Sequence, residues 1–187
     1  MNQNLVRPFW GKKRIRILVF FVGVALLFLL IWLFRPIHIN KTVEGLKVNL
    51  GDESLYEPVT LTITGTNYMN PFAKDRFSGF LEITGYEFSK ATHVLSDFYV
   101  SNHEGGSALA YRDTRADSTH PEPFALFGNI YSSHDFEDIV ILVYAKNPYL
   151  STGLGYSSDN AVSIVTNVSS REEAVQKSRT ALRLGGD

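Results

Sequence analysis

Residues 139–144 read Ile-Val-Ile-Leu-Val-Tyr, a run that is apolar at nearly every position and largely β-branched. A strand buried on both faces has this composition, whereas a half-buried strand alternates apolar and polar side chains. Asn147-Pro148 follows the run and is typical of a turn. The sequence therefore predicts a strand over 139–144 in a central position of a sheet.

Further strands are predicted outward from this run. Val59–Thr64 alternates valine, leucine and isoleucine with threonine, which is the period-2 pattern of a half-buried strand. Five other segments have a strand-like pattern or composition: 77–84, 94–100, 107–111, 124–131 and 161–166. Asn102–Gly106 ends in two glycines and favours a hairpin between the predicted strands 94–100 and 107–111. The predicted fold class is mainly β, with an antiparallel β-sandwich or barrel-like domain over residues 47–168.

The end of the chain has a helical pattern. Ser170-Arg-Glu-Glu173 is a capping box, in which the serine and the glutamate satisfy backbone N–H groups at a helix start. The small or apolar residues that follow share one narrow helical face: Ala174, Val175, Ala181 and Leu182. Because Gly185-Gly186 ends the pattern, we expect a helix over 171–184, within a C-terminal segment 169–187. A narrow apolar face predicts either weak docking on the sheet or contact with a partner.

The N-terminal part of the chain contains an apolar run, Ile17–Phe34, with no charged residue. As a helix, these 18 residues would extend about 27 Å, close to the roughly 30 Å hydrocarbon core of a bilayer. Trp10 and Trp32 lie near the two ends of the run, where aromatic residues favour the membrane interface. We therefore expect residues 17–35 to be a transmembrane anchor that binds the lipid bilayer.

Charge predicts the orientation of this anchor. Residues 1–35 hold six of the 18 basic residues and no acidic one, and Lys12–Arg16 alone holds four basic residues. Basic flanks stay in the cytoplasm, so residues 1–16 are expected inside and the C-terminal domain outside, in a single-pass plasma-membrane protein. Residues 36–187 carry all 19 acidic residues. Residues 36–46 are interpreted as a stalk.

The apolar run allows two other interpretations. A cleaved signal peptide has an apolar core of about 7–15 residues followed by a small-residue cleavage site. This run is longer, and Arg35-Pro36-Ile37 follows it without an Ala-x-Ala pattern. A buried helix of a soluble protein is the less favoured alternative, because this run is apolar on every face. The uncleaved anchor is the favoured interpretation.

Composition excludes several classes of function. The chain has no cysteine, which excludes disulfides, thiol nucleophiles, cysteine-ligated zinc and iron–sulfur clusters. Its formal net charge of −1 gives no indication of a nucleic-acid partner. No internal repeat or nucleotide-binding motif is present in the sequence.

Polar clusters offer candidate sites without a recognised motif. Four histidines (His93, His103, His120 and His134) lack metal-ligand spacing. His134–Asp138 could hold Ca²⁺ or act as an acid/base pair, but a solvated turn is the simpler interpretation. A second polar segment brings together serine, histidine and aspartate without a nucleophile motif: Asp113, Arg115, Asp117, Ser118 and His120.

Exposed aromatic residues and sequons complete the candidates. Tyr149 and Tyr156 lie in a glycine-containing loop and could form a binding surface or pack at a sheet edge. Asn40-Lys-Thr42 and Asn167-Val-Ser169 are glycosylation sequons, which matter only in a glycosylating pathway.

No catalytic, cofactor-binding or metal-binding residue can be assigned from these patterns. We expect a binding or protein-interaction module at the cell envelope, whose partner contacts the loops 101–123 and 145–160 or a sheet edge. The alternative is an extracytoplasmic hydrolase, which would need His120, His134 and Asp135 to converge in one cleft. A third hypothesis is a membrane-complex subunit that also uses Lys12–Arg16.

Overall fold

The computed structural model describes residues 12–86, 93–95, 97–100, 106–113, 124–146, 154–155 and 161–184. The chain divides into two compact units, Met1–Arg35 and Pro36–Asp187. The first unit contains helix α1 (Lys12–Leu33). Within it, Arg14–Leu33 has a mean hydropathy of 2.8 and buries no side chain in the protein, so it is long and apolar enough to cross a membrane. The predicted apolar helix is therefore confirmed by length and composition.

The second unit is built from strands and one helix. The elements follow one another along the chain as β1 (Pro36–Asn49), β2 (Tyr56–Tyr68), β3 (Asp75–Ile83), β4 (His93–Leu95), β5 (Phe98–Val100), β6 (Ser107–Asp113), β7 (Phe124–Ser132), β8 (Ile139–Val143), β9 (Ala145–Lys146), β10 (Leu154–Gly155), β11 (Val162–Thr166) and α2 (Arg171–Leu184). The mainly β fold class with a C-terminal helix is confirmed.

The strands form one antiparallel sheet that curls nearly into a barrel. Nine strands pair in the order β4-β6-β7-β8-β11-β1-β2-β3-β5, and β9 and β10 form a separate two-stranded ribbon. The strands at the two ends of this order, β4 and β5, are separated along the chain by only two residues, 96 and 97. Counted as one interrupted strand, they give an eight-stranded up-and-down arrangement in which strands that follow one another along the chain are paired, and the last strand, β11, pairs with the first, β1.

The interior of the barrel is filled by apolar side chains. Inward-facing residues of the strands form one core cluster, with Leu61, Phe77, Tyr111 and Ile141 among its fully buried members. Gly65 and Gly79 lie opposite each other in the β2–β3 ladder. A Cβ at Gly65 would lie 2.7 Å from the Phe77 ring, so the glycines make room for this ring. Side chains rather than a ligand cavity therefore occupy this part of the barrel.

Strand β8 is buried on both faces, as its composition predicts. Ile139 and Ile141 face the barrel interior, and Leu142 packs against the helix α2 on the outside. Helix α2 approaches the barrel closely because its buried face carries small residues, Ala174, Ser178 and Ala181. The Ser178 hydroxyl has two acceptors within hydrogen-bond distance. Ser163 Oγ, on β11, lies 2.7 Å away, and the Ala174 carbonyl oxygen lies 2.8 Å away.

The predicted capping box is present at the start of α2. Ser170 Oγ accepts a hydrogen bond from the Glu173 backbone N–H at 3.3 Å. The Glu173 carboxylate accepts a 2.9 Å hydrogen bond from the Ser169 backbone N–H. Ser169 lies one residue before Ser170, the serine predicted to cap the helix. These bonds satisfy backbone donors that the first turn of a helix leaves unpaired.

The structure differs from the sequence prediction in two segments. Residues 36–46, interpreted as a stalk, form most of β1, because Ile39 and Val43 reach the barrel core. The strand predicted at 94–100 is divided into β4, which pairs with β6, and β5, which pairs with β3. Of the predicted strand 94–100, therefore, only the part in β4 pairs with β6, the strand that contains residues 107–111.

Candidate functional site

The first half of β1 has one open edge. β1 pairs with β2 from Pro36 to Val48 but pairs with β11 only from Gly45 to Asn49. In the described part of the chain, no strand pairs with the other edge of Pro36–Glu44, and we call this segment the open edge of β1. An unpaired strand edge presents backbone N–H and C=O groups that can pair with another strand.

A groove runs beside the open edge. It begins where the β1–β11 ladder ends and has a volume of about 330 Å³. Its lining comes from the open edge, from the loop before β8 and from the residue after β11: Lys41, Thr42, Val43, Glu44, Glu137 and Asn167. The open edge is therefore bordered by space and by polar side chains.

The loop Ser133–Asp138, which we call the plug loop, closes the barrel interior near this groove. Phe136 is fully buried, with its ring centroid 5.0 Å from Phe77 and 6.4 Å from Phe98. Its φ of 58° lies in the left-handed region, which is uncommon for a bulky residue. Packing of the ring inside the barrel accounts for this conformation, because burying an aromatic side chain outweighs a local backbone cost of about 1–3 kcal/mol.

The acidic residues of the plug loop are held by donors of the fold. Hydrogen bonds from the Ser133 hydroxyl and from the Glu137 N–H lower the pKa of Asp135. Asp138 accepts hydrogen bonds from Lys177 at 2.9 Å and from Asn167 at 3.0 Å, and both lower its pKa. In the regions the structure describes, no group of three or more His, Cys, Asp or Glu side chains could hold a metal ion.

The plug loop is also tied to the open edge. Lys41 donates hydrogen bonds to the Asp135 carbonyl at 2.8 Å and to Glu137 at 3.2 Å. Lys41 belongs to residues 36–46, the segment predicted to be a stalk, so this contact was not predicted. The alternation of Ile37, Ile39 and Val43 was the available signal, but Lys41 interrupts it.

His134 pairs with a carboxylate that is distant in sequence. Its Nδ1 lies 2.8 Å from Oδ2 of Asp75, whose side chain is 5% exposed, while the His134 side chain is 66% exposed. The Asn70 N–H donates to the other carboxylate oxygen of Asp75 at 2.8 Å. Among the described residues, His134 has no further hydrogen-bond partner. No local pattern could have predicted this pair, because 59 positions separate the two residues.

Other candidates from the sequence lie where side chains are not described. His93 and Asp113 are opposite each other in the β4–β6 ladder. Seven candidates lie outside the described residues: His103, Arg115, Asp117, Ser118, His120, Tyr149 and Tyr156. The convergence of His120 with His134 and Asp135 is therefore untested, although the described partner of His134 is Asp75.

The sequon asparagines have different surroundings. Asn40 is exposed on the open edge and accepts a 3.4 Å hydrogen bond from Thr64. Asn167 follows β11, has a φ of 53°, and uses its side-chain amide as a donor to Asp138. A glycan at Asn167 would replace one of the two amide hydrogens that this contact can use.

Two grooves also flank helix α2. One has a volume of about 530 Å³ and runs between α2 and the β7–β8 region, where Tyr131, Val140 and Lys177 line it. The other has a volume of about 640 Å³ and lies between the start of α2 and the strands β1 and β2.

The chain matches no protein-family model, no curated protein and no solved structure.

Proposed function

We propose that this protein is a membrane-anchored, extracytoplasmic interaction module that binds an extended segment of a partner protein at the cell envelope. Helix α1 serves as the anchor, supported by its length and hydropathy. The basic segment Lys12–Arg16 favours a cytoplasmic N-terminus, which puts the β domain on the outer side of the plasma membrane.

The observation that carries this proposal is the open edge of β1. An extended peptide can add a strand to such an edge, so that main-chain hydrogen bonds give affinity and neighbouring side chains give specificity. The groove beside Thr42 and Glu44 provides space for that strand. The filled interior of the barrel favours binding on the outside rather than in a central cavity.

The side chains around the open edge indicate the chemistry of the partner. The described lining of the groove has two carboxylates, Glu44 and Glu137, and one cation. Because this cation, Lys41, pairs with Glu137, the groove keeps one net negative charge. An incoming strand with a basic residue near its centre would complement these carboxylates. A strand with proline at its centre would lose a ladder hydrogen bond.

The test uses a cross-strand pair of identical residues. Thr42 lies on the open edge, and its partner Thr62 lies on β2, which β1 and β3 cover on both sides. A photo-crosslinking amino acid is introduced at each position in the full-length protein, in native membranes. We expect Thr42 to crosslink to one short segment of a partner and Thr62 to give little product, because it is one strand further from the edge.

Two outcomes would overturn the proposal. Equal products from the two positions would mean that the open edge is not the contact. A product that joins Thr42 to another part of the same chain would mean that the edge is covered within the molecule.

A hydrolase is the second candidate, and one contact favours it. The buried carboxylate of Asp75 can orient His134, as an acid orients the histidine of a catalytic triad. The described residues place no hydroxyl on the other ring nitrogen, so the nucleophile would have to come from elsewhere in the chain. Labelling by a fluorophosphonate probe that disappears in His134→Gln would support this candidate over the interaction module.

A further inference from the structure

One end of the barrel carries exposed aromatic and basic side chains at the same level. The strand register places Pro36 opposite Tyr68, Tyr68 opposite Arg76, and Arg76 opposite Tyr99. These four residues therefore form a row across β1, β2, β3 and β5. Tyr68 is 42% exposed and Tyr99 is 56% exposed.

The turn that follows Tyr68 extends this surface. Phe72 is 82% exposed and Met69 is 39% exposed. The guanidinium carbon of Arg76 lies 4.9 Å from the centre of the Tyr68 ring, and Nη1 of the same side chain lies 3.4 Å from Oδ2 of Asp97, so the cation beside the aromatic row is paired with a carboxylate. Aromatic rings mixed with basic groups are the composition that proteins use at the headgroup level of a membrane.

The row begins at the residue where the chain enters the β domain. Helix α1 ends at Leu33, and β1 starts at Pro36, which is itself a member of the row. Three extended residue steps span at most about 11 Å. The headgroup and interfacial layer adds roughly 5–8 Å on each side of the hydrocarbon core. With helix α1 as the anchor of the proposed function, chain length therefore limits the distance of Pro36 from that layer.

We propose that this end of the barrel, from Tyr68 to Phe72 together with Arg76 and Tyr99, inserts its aromatic side chains into the headgroup region of the bilayer. The inference rests on the membrane anchor of the proposed function. Contact with the bilayer fixes the orientation of the barrel and leaves the end that carries the β1–β2 turn facing away from the membrane.

The absence of cysteine in the natural sequence makes a direct test practical. Phe72→Cys is labelled with a nitrobenzoxadiazole fluorophore and reconstituted as the full-length protein in vesicles containing anionic lipid and headgroup-nitroxide lipid. The matched control is Glu53→Cys, an exposed residue in the turn between β1 and β2. The 13 residues of β2 separate the two sites by up to about 40 Å along the strand.

We expect the label at Phe72 to lose most of its fluorescence to the nitroxide lipid and the label at Glu53 to lose little. Equal quenching at the two sites would overturn the proposal. A blue-shifted but unquenched label at Phe72 would also overturn it, because a second copy of the chain would then cover the surface. Tyr99→Cys repeats the measurement from a separate strand, so that a folding defect in one variant does not decide the result.

The anchor and the aromatic contact fail in different ways. Protein that does not float with the vesicles would refute the anchor on which the proposed function depends. Protein that floats with an unquenched Phe72 label would refute the headgroup contact alone. The vesicles contain no partner protein, so neither result depends on binding at the open edge.

Discussion

Strand β8 and the open edge of β1 belong to the same sheet but differ in how much of them is covered. β8 pairs with β7 and β11, its inner face fills the barrel, and its outer face lies under α2. Among the described strands, the open edge of β1 pairs with β2 alone, and six of its nine residues are exposed. Burial at β8 supports the stability of the domain. The open edge of β1 leaves backbone groups unpaired with any described strand, and the proposed function assigns these groups to a partner strand.

The largest expected effect compares the same substitution in the two strands. Ile141→Ala removes a fully buried side chain of β8 and should cost about 2–5 kcal/mol in the free energy of unfolding. Ile39→Ala, within the open edge, should cost less, because the uncovered side lets the surrounding side chains relax. Denaturant unfolding of the full-length protein in detergent, followed by the strand signal in circular dichroism, measures both. Equal losses would remove the distinction between the strands.

A medium effect tests the cover that α2 gives to β8. Ala181 is 4% exposed and packs with Leu142 and Tyr131. Ala181→Leu should destabilise the domain by about 1–3 kcal/mol, because the larger side chain has no space at this contact. Arg179→Leu, at an exposed position of the same helix, is the control and should be nearly neutral. If the two variants unfold alike, α2 does not cover β8 tightly.

The smallest effect concerns the ion pair between α2 and the plug loop. Lys177, followed by Asn167, lowers the pKa of Asp138 below its ordinary value of 3.8. A lowered pKa favours folding above pH 3.8, and this contribution is lost as the pH falls through the lower folded value. Asp138→Asn should therefore cost at most about 1 kcal/mol at neutral pH.

Unfolding measured at pH 7 and at about pH 3 checks the sign of this effect. The wild type and Asp138→Asn should become more similar in stability at the acidic pH, because Asp138 is then mostly protonated in the unfolded state and its lowered folded pKa stabilises the fold less. Lys177→Met should remove the same pH-dependent part. A difference that grows toward acidic pH would contradict the assignment.

Local patterns were sufficient where the structure depends on neighbours in sequence. The apolar run at 139–144, the capping box at Ser170 and the uncharged run at 17–34 each determine an element largely by themselves. The open edge was missed because Lys41 breaks the alternation of β1 and meets its partners, Asp135 and Glu137, about 95 residues away. The contacts of Lys41 depend on the tertiary fold, which a local sequence pattern cannot predict.

The plug loop and the His134 contact show the same limit. A single phenylalanine among acidic residues is typical of a solvated turn, yet Phe136 enters the barrel because its interior has space beside Phe77. The pairing of His134 with Asp75 requires β3 and the loop before β8 to meet at one barrel end. Sequence patterns give the elements, but closure of the sheet brings these side chains together.

The ladder between β1 and β11 also has a consequence for biosynthesis. It joins Gly45 to Thr166, so this ladder can form only after the chain has been made as far as Thr166. At about 5–20 residues per second, translation of the intervening segment takes on the order of ten seconds. During that interval β1 is an edge strand along its whole length, and a chaperone or an early partner could occupy it. Arrival of β11 then sets how much of β1 stays open in the mature protein.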